Sequence, residues 1–202
     1  CLCINDAVVH GVPSKYKLQK GDCFTIDVGM LYKGFHTDTA WTKIIENYAR
    51  PASRSEAGEL RIKNYEEKKK FLQIGEETLA KAISQAKPGN RVGHISKAIE
   101  DLIVGAGHSI VKSLVGHGVG KMLHEDPQIP GFLRGKREDT PLLKEGMTIA
   151  IEVIYAMGKG DVKQANADGW TIATKDGSIS TVFEHTVAIS VNGPIILTKV
   201  DT

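Results

Sequence analysis

Cysteine is scarce in this chain: Cys1, Cys3 and Cys23 are its three. An odd number argues against a disulfide framework. Cys1-Leu2-Cys3 is not spaced as a metal knuckle, and residues two apart on a strand share a face. Small apolar filler is the plain reading of all three. Long apolar runs are missing too. None reaches the roughly 18 residues that a membrane-spanning helix needs, so no membrane partner is expected. The chain does not open on a basic region followed by a long apolar one, and without such an export signal the expected location is cytoplasmic. It begins at Cys1 rather than Met, directly in a strand-like pattern. The start is therefore expected to be an internal cut, with an organelle the alternative if a targeting segment was lost. A surplus of either charge is also absent. A formal net charge of +2 gives no electrostatic case for nucleic acid. Lys68-Lys69-Lys70 reads as a solvated helix face.

What is present suits one core. With 202 residues, 41% of them hydrophobic, the chain is long enough for one good core and short of a clear pair of domains. The pattern predicts a strand, a turn and a short apolar run over 2–10. A hairpin follows over 22–46, turning at Lys33-Gly34. A helix is expected over 54–87, with Leu60, Tyr65, Phe71, Ile74, Leu79, Ala82, Ile83 and Ala86 as its apolar stripe and Pro88-Gly89 as its stop. A second helix runs from Arg91 to Gly105, with Ile95, Ala98, Ile99, Leu102 and Ile103 on one face. Residues 125–146 read as irregular. Strands are expected over 147–157, 169–174, 180–191 and 195–200, with Asp176-Gly177 a hairpin turn. Strands, two helices and more strands imply an α+β fold, a largely antiparallel sheet covered by helices on one face.

Two stretches resemble each other, Lys20–Gly29 (KGDCFTIDVG) and Lys144–Val153 (KEGMTIAIEV). They suggest an internal duplication. Each carries one carboxylate, Asp27 or Glu152, inside a β-prone apolar run. Asp38 lies on the return strand of the first hairpin, roughly opposite Asp27. Glu184 lies in the apolar run Phe183–Ala188. Buried carboxylates without counter-charge cost several kcal/mol each, and no Lys or Arg stands in these runs to offset them. Metal cations are the economical explanation. Four carboxylates suit more than one divalent ion, held roughly 3.5–4 Å apart by bridging groups. His117, between glycines in Gly116–Gly120, supplies the imidazole that with carboxylates suits Mn, Fe, Co or Zn. His124, seven residues on, reads as a ligand, a general acid or base, or a donor to a substrate carbonyl. His10, before Gly-Val-Pro13, is a third candidate for the same mouth.

These motifs together resemble the type I methionine aminopeptidases. The resemblance is carried by Cys1–Asp6, His10–Pro13, Asp27 with Asp38 eleven residues on, Gly116–Gly120, His124–Pro127, Ile151-Glu152, Asp168–Thr171 and Phe183–Thr186. It covers nearly the whole chain. It implies the pita-bread fold, a pseudo-twofold duplicated, curved antiparallel sheet, as one catalytic domain over 1–202. It implies two divalent ions (Co, Mn, Fe or Zn) on Asp27, Asp38, His117, Glu152 and Glu184, with Asp38 and Glu184 bridging. His124 would face the scissile carbonyl and His10 the amide nitrogen, while Glu152 moves a proton. Cys1, Leu123 and Trp170 would line the methionine pocket. The implied reaction removes the N-terminal methionine of nascent proteins when the second residue is small. The ribosome is a further expected partner, and a monomer the expected state.

The chain departs from the family pattern in four places. Residues about 45–68 read as a charged insert, Leu123 stands where an aromatic is common, and Val182 where an amide residue is common. The helix and strand that usually precede the Cys-x-x-Ile-Asn motif are not in front of Cys1. The rival readings are an X-Pro aminopeptidase or prolidase-like enzyme with the same ligands, and a pita-bread binding module without catalysis.

Overall fold

A computed structural model describes residues 1–46, 56–165 and 168–199. The chain opens with strands β1 (Leu2–Ile4) and β2 (Ala7–Val9). A long hairpin of β3 (Cys23–Tyr32) and β4 (Phe35–Ile44) follows. Its two-residue turn, Lys33 at φ 49 and Gly34 at φ 84, has both positive φ angles that match the twist of the flanking strands. Helices α1 (Glu56–Ile83) and α2 (Val92–Gly105) come next. Then come β5 (Ser109–Ile110), β6 (Val115–Gly118), β7 (Glu125–Pro130), β8 (Thr148–Ala156), β9 (Val162–Gln164), β10 (Ile172–Thr174), β11 (Ser180–Ala188) and β12 (Ile195–Ile196).

The main sheet is antiparallel, in the order β1-β3-β4-β11-β8-β6-β7, with β12 on β11 and β5 on β8. The two duplicated stretches are therefore strands β3 and β8, and their partners β4 and β11 meet in the middle. Side chains alternate along β8. Ile149, Ile151, Val153 and Tyr155 join the core beneath the helices with Phe71, Leu79, Ile95 and Ile99. On the other face Ile154 packs with Val8, Val9, Ala40, Val111 and Val182. A strand covered on both faces reads as a continuous apolar run, which is why Glu152 stands out in it. Gly75 lets α1 lie directly on the sheet, since a Cβ there would come within 2.6 Å of the Tyr155 hydroxyl.

The α+β class, the helix-covered antiparallel sheet and the duplicated strands are as expected, and several elements differ in detail. α1 stops at Ile83, five residues before Pro88, and the chain turns at Gly89 with φ 87. The Leu60 side chain and residues 47–55 of the charged insert lie outside the described part. The Pro-rich 125–146 segment holds strand β7 at its start, because β6 pairs with it and Pro needs no ladder hydrogen bond at an edge. Asp176-Gly177 is a turn, with Gly177 at φ 73, yet not a hairpin: β10 belongs to a separate small sheet, β2-β10-β9, and β11 to the large one. Asp27 pairs with Ala40 and Asp38 with Gly29. The two acids are thus diagonal neighbours on one face, two positions apart in register, rather than opposite.

Candidate metal centre

Strand order brings the acids together. β3 and β4 carry Asp27 and Asp38 from one half of the sheet. β8 and β11 carry Glu152 and Glu184, directly opposite each other, from the other half. His117 enters on β6, whose residue 117 pairs with Ala150 two positions before Glu152. Three overlapping groups result: Asp27, Asp38 and Glu184; His117, Glu152 and Glu184; and Asp38, His117 and His124. Within each group one potential ligand atom per residue lies within 4.8 Å of the others.

Carboxylate oxygens and an imidazole nitrogen face one another there. The His117 Nδ1–H donates to the Gly118 carbonyl at 2.9 Å, which leaves Nε2 as the acceptor of a neutral ring. That Nε2 is 3.5 Å from Glu152 Oε1 and 3.9 Å from Asp38 Oδ2. Glu184 is 2% exposed, and its Oε1 is buried without a hydrogen-bond partner. Burial, and after it the Asp27 charge, pushes the Asp38 carboxyl up to about 6. Burial, then Asp38 and Asp27, raises Glu152 well above the usual carboxylate range. Burial raises Glu184 likewise, with Glu152 the largest charge acting on it. Burial lowers His117. The Thr39 N–H donates to Asp38 Oδ1 at 3.1 Å, and a largely buried set of carboxylate oxygens with one imidazole nitrogen is the donor set of a hard or borderline divalent cation. The residues present fit such an ion.

The remaining expected site residues form a rim. The exposed His124, in the loop from β6 to β7, has its ring 4.4 Å from that of His117. Leu123 lies over β3: a Cβ at Gly29 would be 3.5 Å from its Cδ1 and 3.8 Å from Asp38 Oδ1. Pairing of β1 with β3 puts Cys1 at Asp27, whose N–H donates to the Cys1 carbonyl at 3.2 Å and whose carbonyl accepts from the Cys1 amine at 2.7 Å. The Cys1 Sγ is 4.0 Å from Nδ1 of His10, which sits at φ 59. Trp170 is tied in less directly. The residue is 68% exposed, and its link to the rim runs through the neighbouring Thr171, whose hydroxyl lies 3.5 Å from the His10 carbonyl. Asp168 braces this corner by accepting from the backbone N–H groups of Trp170 and Thr171 at 2.8 and 3.0 Å. Thr39 and Thr186 also touch the centre, through its backbone, and sequence reasoning assigned neither a role. Thr39 directly follows Asp38 and Thr186 stands two residues after Glu184, each in a β-prone run, which is the signal they offered.

Comparison with known proteins agrees with this geometry. The model of metallopeptidase family M24 matches residues 1–190. The methionine aminopeptidase 1 of Bacillus subtilis is 40% identical over 200 residues, 99% of this chain and 73% of that protein. The crystal structure of a methionine aminopeptidase from Thermotoga maritima superposes with a TM-score of 0.84 at 39% identity, over 99% of this chain and 73% of that one. A prolidase structure from Pyrococcus horikoshii gives a TM-score of 0.68 at 25% identity, over 99% of this chain and 47% of that one.

Proposed function

The chain belongs to metallopeptidase family M24 and, within it, to the methionine aminopeptidases, and on that premise we propose how its own side chains carry the reaction. It is a metal-dependent hydrolase that removes the N-terminal methionine from peptides and proteins. The proposal concerns the ions, the residues and the finer specificity. Asp27, Asp38, His117, Glu152 and Glu184 would hold two divalent ions, with Asp38 and Glu184 the carboxylates available to both. The observation that carries this is the overlap of the ligand groups, with Glu184, Asp38 and His117 each shared by two of them and Glu184 and Asp38 the shared carboxylates. A divalent cation in such a set supplies a water whose pKa falls to about 7 and a charge that polarises the peptide carbonyl.

The side chains do the rest. Glu152, beside His117 and walled by apolar strands, accepts the proton that water gives up and delivers it to the leaving amine. His124, at the rim, donates to the scissile carbonyl oxygen as negative charge builds there. His10 stands on the other side, near the amide nitrogen. Cys1, Leu123 and Trp170 enclose the methionine side chain. A small second residue is preferred, and nascent chains are the natural substrates. With them come the cytoplasm as the location, the ribosome as a partner, a monomer as the working state and residues 1–202 as a single catalytic domain.

The test is methionine release from a Met-Ala-Ser peptide after reconstitution with Mn, Fe, Co or Zn. Release is expected with at least one of the four. Cleavage of an X-Pro peptide without methionine release would move the assignment to the prolidase side of the family.

A further inference from the structure

The two halves of the main sheet meet at β4 and β11, and they do not meet as ordinary strands. β3 and β4 pair along their whole length, and so do β8 and β11. Between β4 and β11 the register holds one backbone pair, Ala40 with Glu184. On either side of it a threonine hydroxyl replaces the ladder. Thr186 of β11 donates to the Asp38 carbonyl at 2.8 Å and accepts the Asp38 N–H at 2.8 Å. Thr42 of β4 does the same to Val182, donating to its carbonyl at 2.9 Å and accepting its N–H at 3.2 Å. Thr39 adds a bond from its hydroxyl to the Glu184 carbonyl at 2.9 Å. Thr42 and Thr186 are each 1% exposed, so water does not compete for these bonds.

A hydroxyl standing between two backbones holds them farther apart than the roughly 4.8 Å of a direct ladder. The seam is thus splayed at both ends of one pinned position, and Glu184 is at that position. Asp38 comes from one side of the gap and Glu184 from the other. They are the two carboxylates that belong to more than one ligand group while sitting on different halves of the sheet.

We propose that Thr186 and Thr39 are positioning residues for the metal centre. Thr186 fixes the backbone of Asp38, Thr39 fixes that of Glu184, and together they set the separation of the two bridging carboxylates. Thr42 makes the same two-way bond at the far end of the seam, at Val182, where no ligand depends on it, so it serves the sheet alone. The inference rests on the metal-site reading above.

The experiment exploits that asymmetry. Thr186→Val and Thr42→Val each keep side-chain volume close to threonine's and remove a matching pair of seam hydrogen bonds, and Thr42→Val also removes the 2.7 Å bond between the Thr42 and Thr25 hydroxyls. Mn²⁺ binding to the metal-free chain is measured by calorimetry, with thermal melts of each variant alongside. Both variants melt lower than the parent. Thr186→Val loses about 10- to 100-fold in Mn²⁺ affinity, the effect typical of removing a ligand's supporting hydrogen bond. Thr42→Val stays within about threefold of the parent, and Thr186→Ser, which keeps the hydroxyl, restores binding. Should Thr186→Val fail to fold, Thr39→Val, which removes one bond to Glu184, carries the test in the same direction. Parent-like Mn²⁺ affinity in Thr186→Val, or equal losses in Thr186→Val and Thr42→Val, would overturn the positioning role while leaving the metal site intact. A parent chain that binds no Mn²⁺ would overturn the metal-site reading itself, and this inference with it.

Discussion

Glu152 and Glu184 face each other directly across β8 and β11, deep in a sheet that is apolar around them. Facing residues on paired strands have Cβ atoms only about 4.5–5.5 Å apart. Two like charges there destabilise the fold unless a proton or a cation lies between them. On the proposed metal-site reading, the sequence trades stability of the metal-free chain for a site that a divalent ion would complete.

That trade gives the first prediction. Glu184→Gln removes one charge from the facing pair at constant shape. With metal stripped by EDTA, the variant should melt above the parent by about 2–4 °C, corresponding to about 1 kcal/mol in a chain of this size. With Mn²⁺ present the order should reverse, because the variant has lost a shared ligand. Melting curves with and without the ion check both halves. A metal-free variant that melts below its parent would show that Glu184 is stabilising by itself, against the repulsion argument.

How much of this was readable beforehand follows from the physics of each element. The β3–β4 hairpin was legible because a two-residue Lys-Gly turn between β-prone runs is a local signal. The four candidate carboxylates were legible because an acid in an apolar run is costly wherever the strand goes, and His117 because glycines flank it. The diagonal offset of Asp27 and Asp38 was not, since register depends on where the hairpin turn sets pairing and on packing against both faces. β2 and β9 have three residues each, too few to show periodicity. Asp176-Gly177 carried the right turn chemistry, but which sheet each flanking strand joins is decided by partners far along the chain. The threonine seam lay furthest from view: a hydroxyl that replaces a ladder bond has no pattern of its own.

His124 lies in one ligand group with Asp38 and His117, yet it is assigned here to the substrate. His124→Ala separates the two roles. Catalysis should fall by about 10²–10³-fold in kcat, the loss typical of one donor to a developing oxyanion, with Mn²⁺ affinity unchanged within about threefold. A large loss of ion affinity would make His124 a ligand instead.

Gly75→Ala tests how closely α1 is seated. Alanine favours a helix interior by about 0.5–1 kcal/mol over glycine. At this position its Cβ would press on the Phe183 ring and the Tyr155 hydroxyl. Overpacking a tight core costs about 1–3 kcal/mol, so the clash should win and the melting temperature should drop. A higher melting temperature would mean that α1 can shift at little cost.

Asp176 gives the chain an acid-sensitive brace. It accepts the Lys159 N–H at 2.8 Å, the Ser178 N–H at 3.0 Å and the Ser178 hydroxyl at 2.7 Å. The Lys159 N–H, first, and then the Ser178 groups hold its carboxyl down at about 2, against 3.8 for a free one. Folding therefore favours the ionised form. The contribution is complete above about pH 4 and fades as pH falls toward 2. Asp176→Ala should accordingly be less stable than the parent at pH 7, with the gap narrowing steadily below pH 4. Denaturant unfolding of both chains at pH 7, 4 and 3 measures it. A gap that stays constant across that range would assign the loss to the missing side chain's packing rather than to its charge.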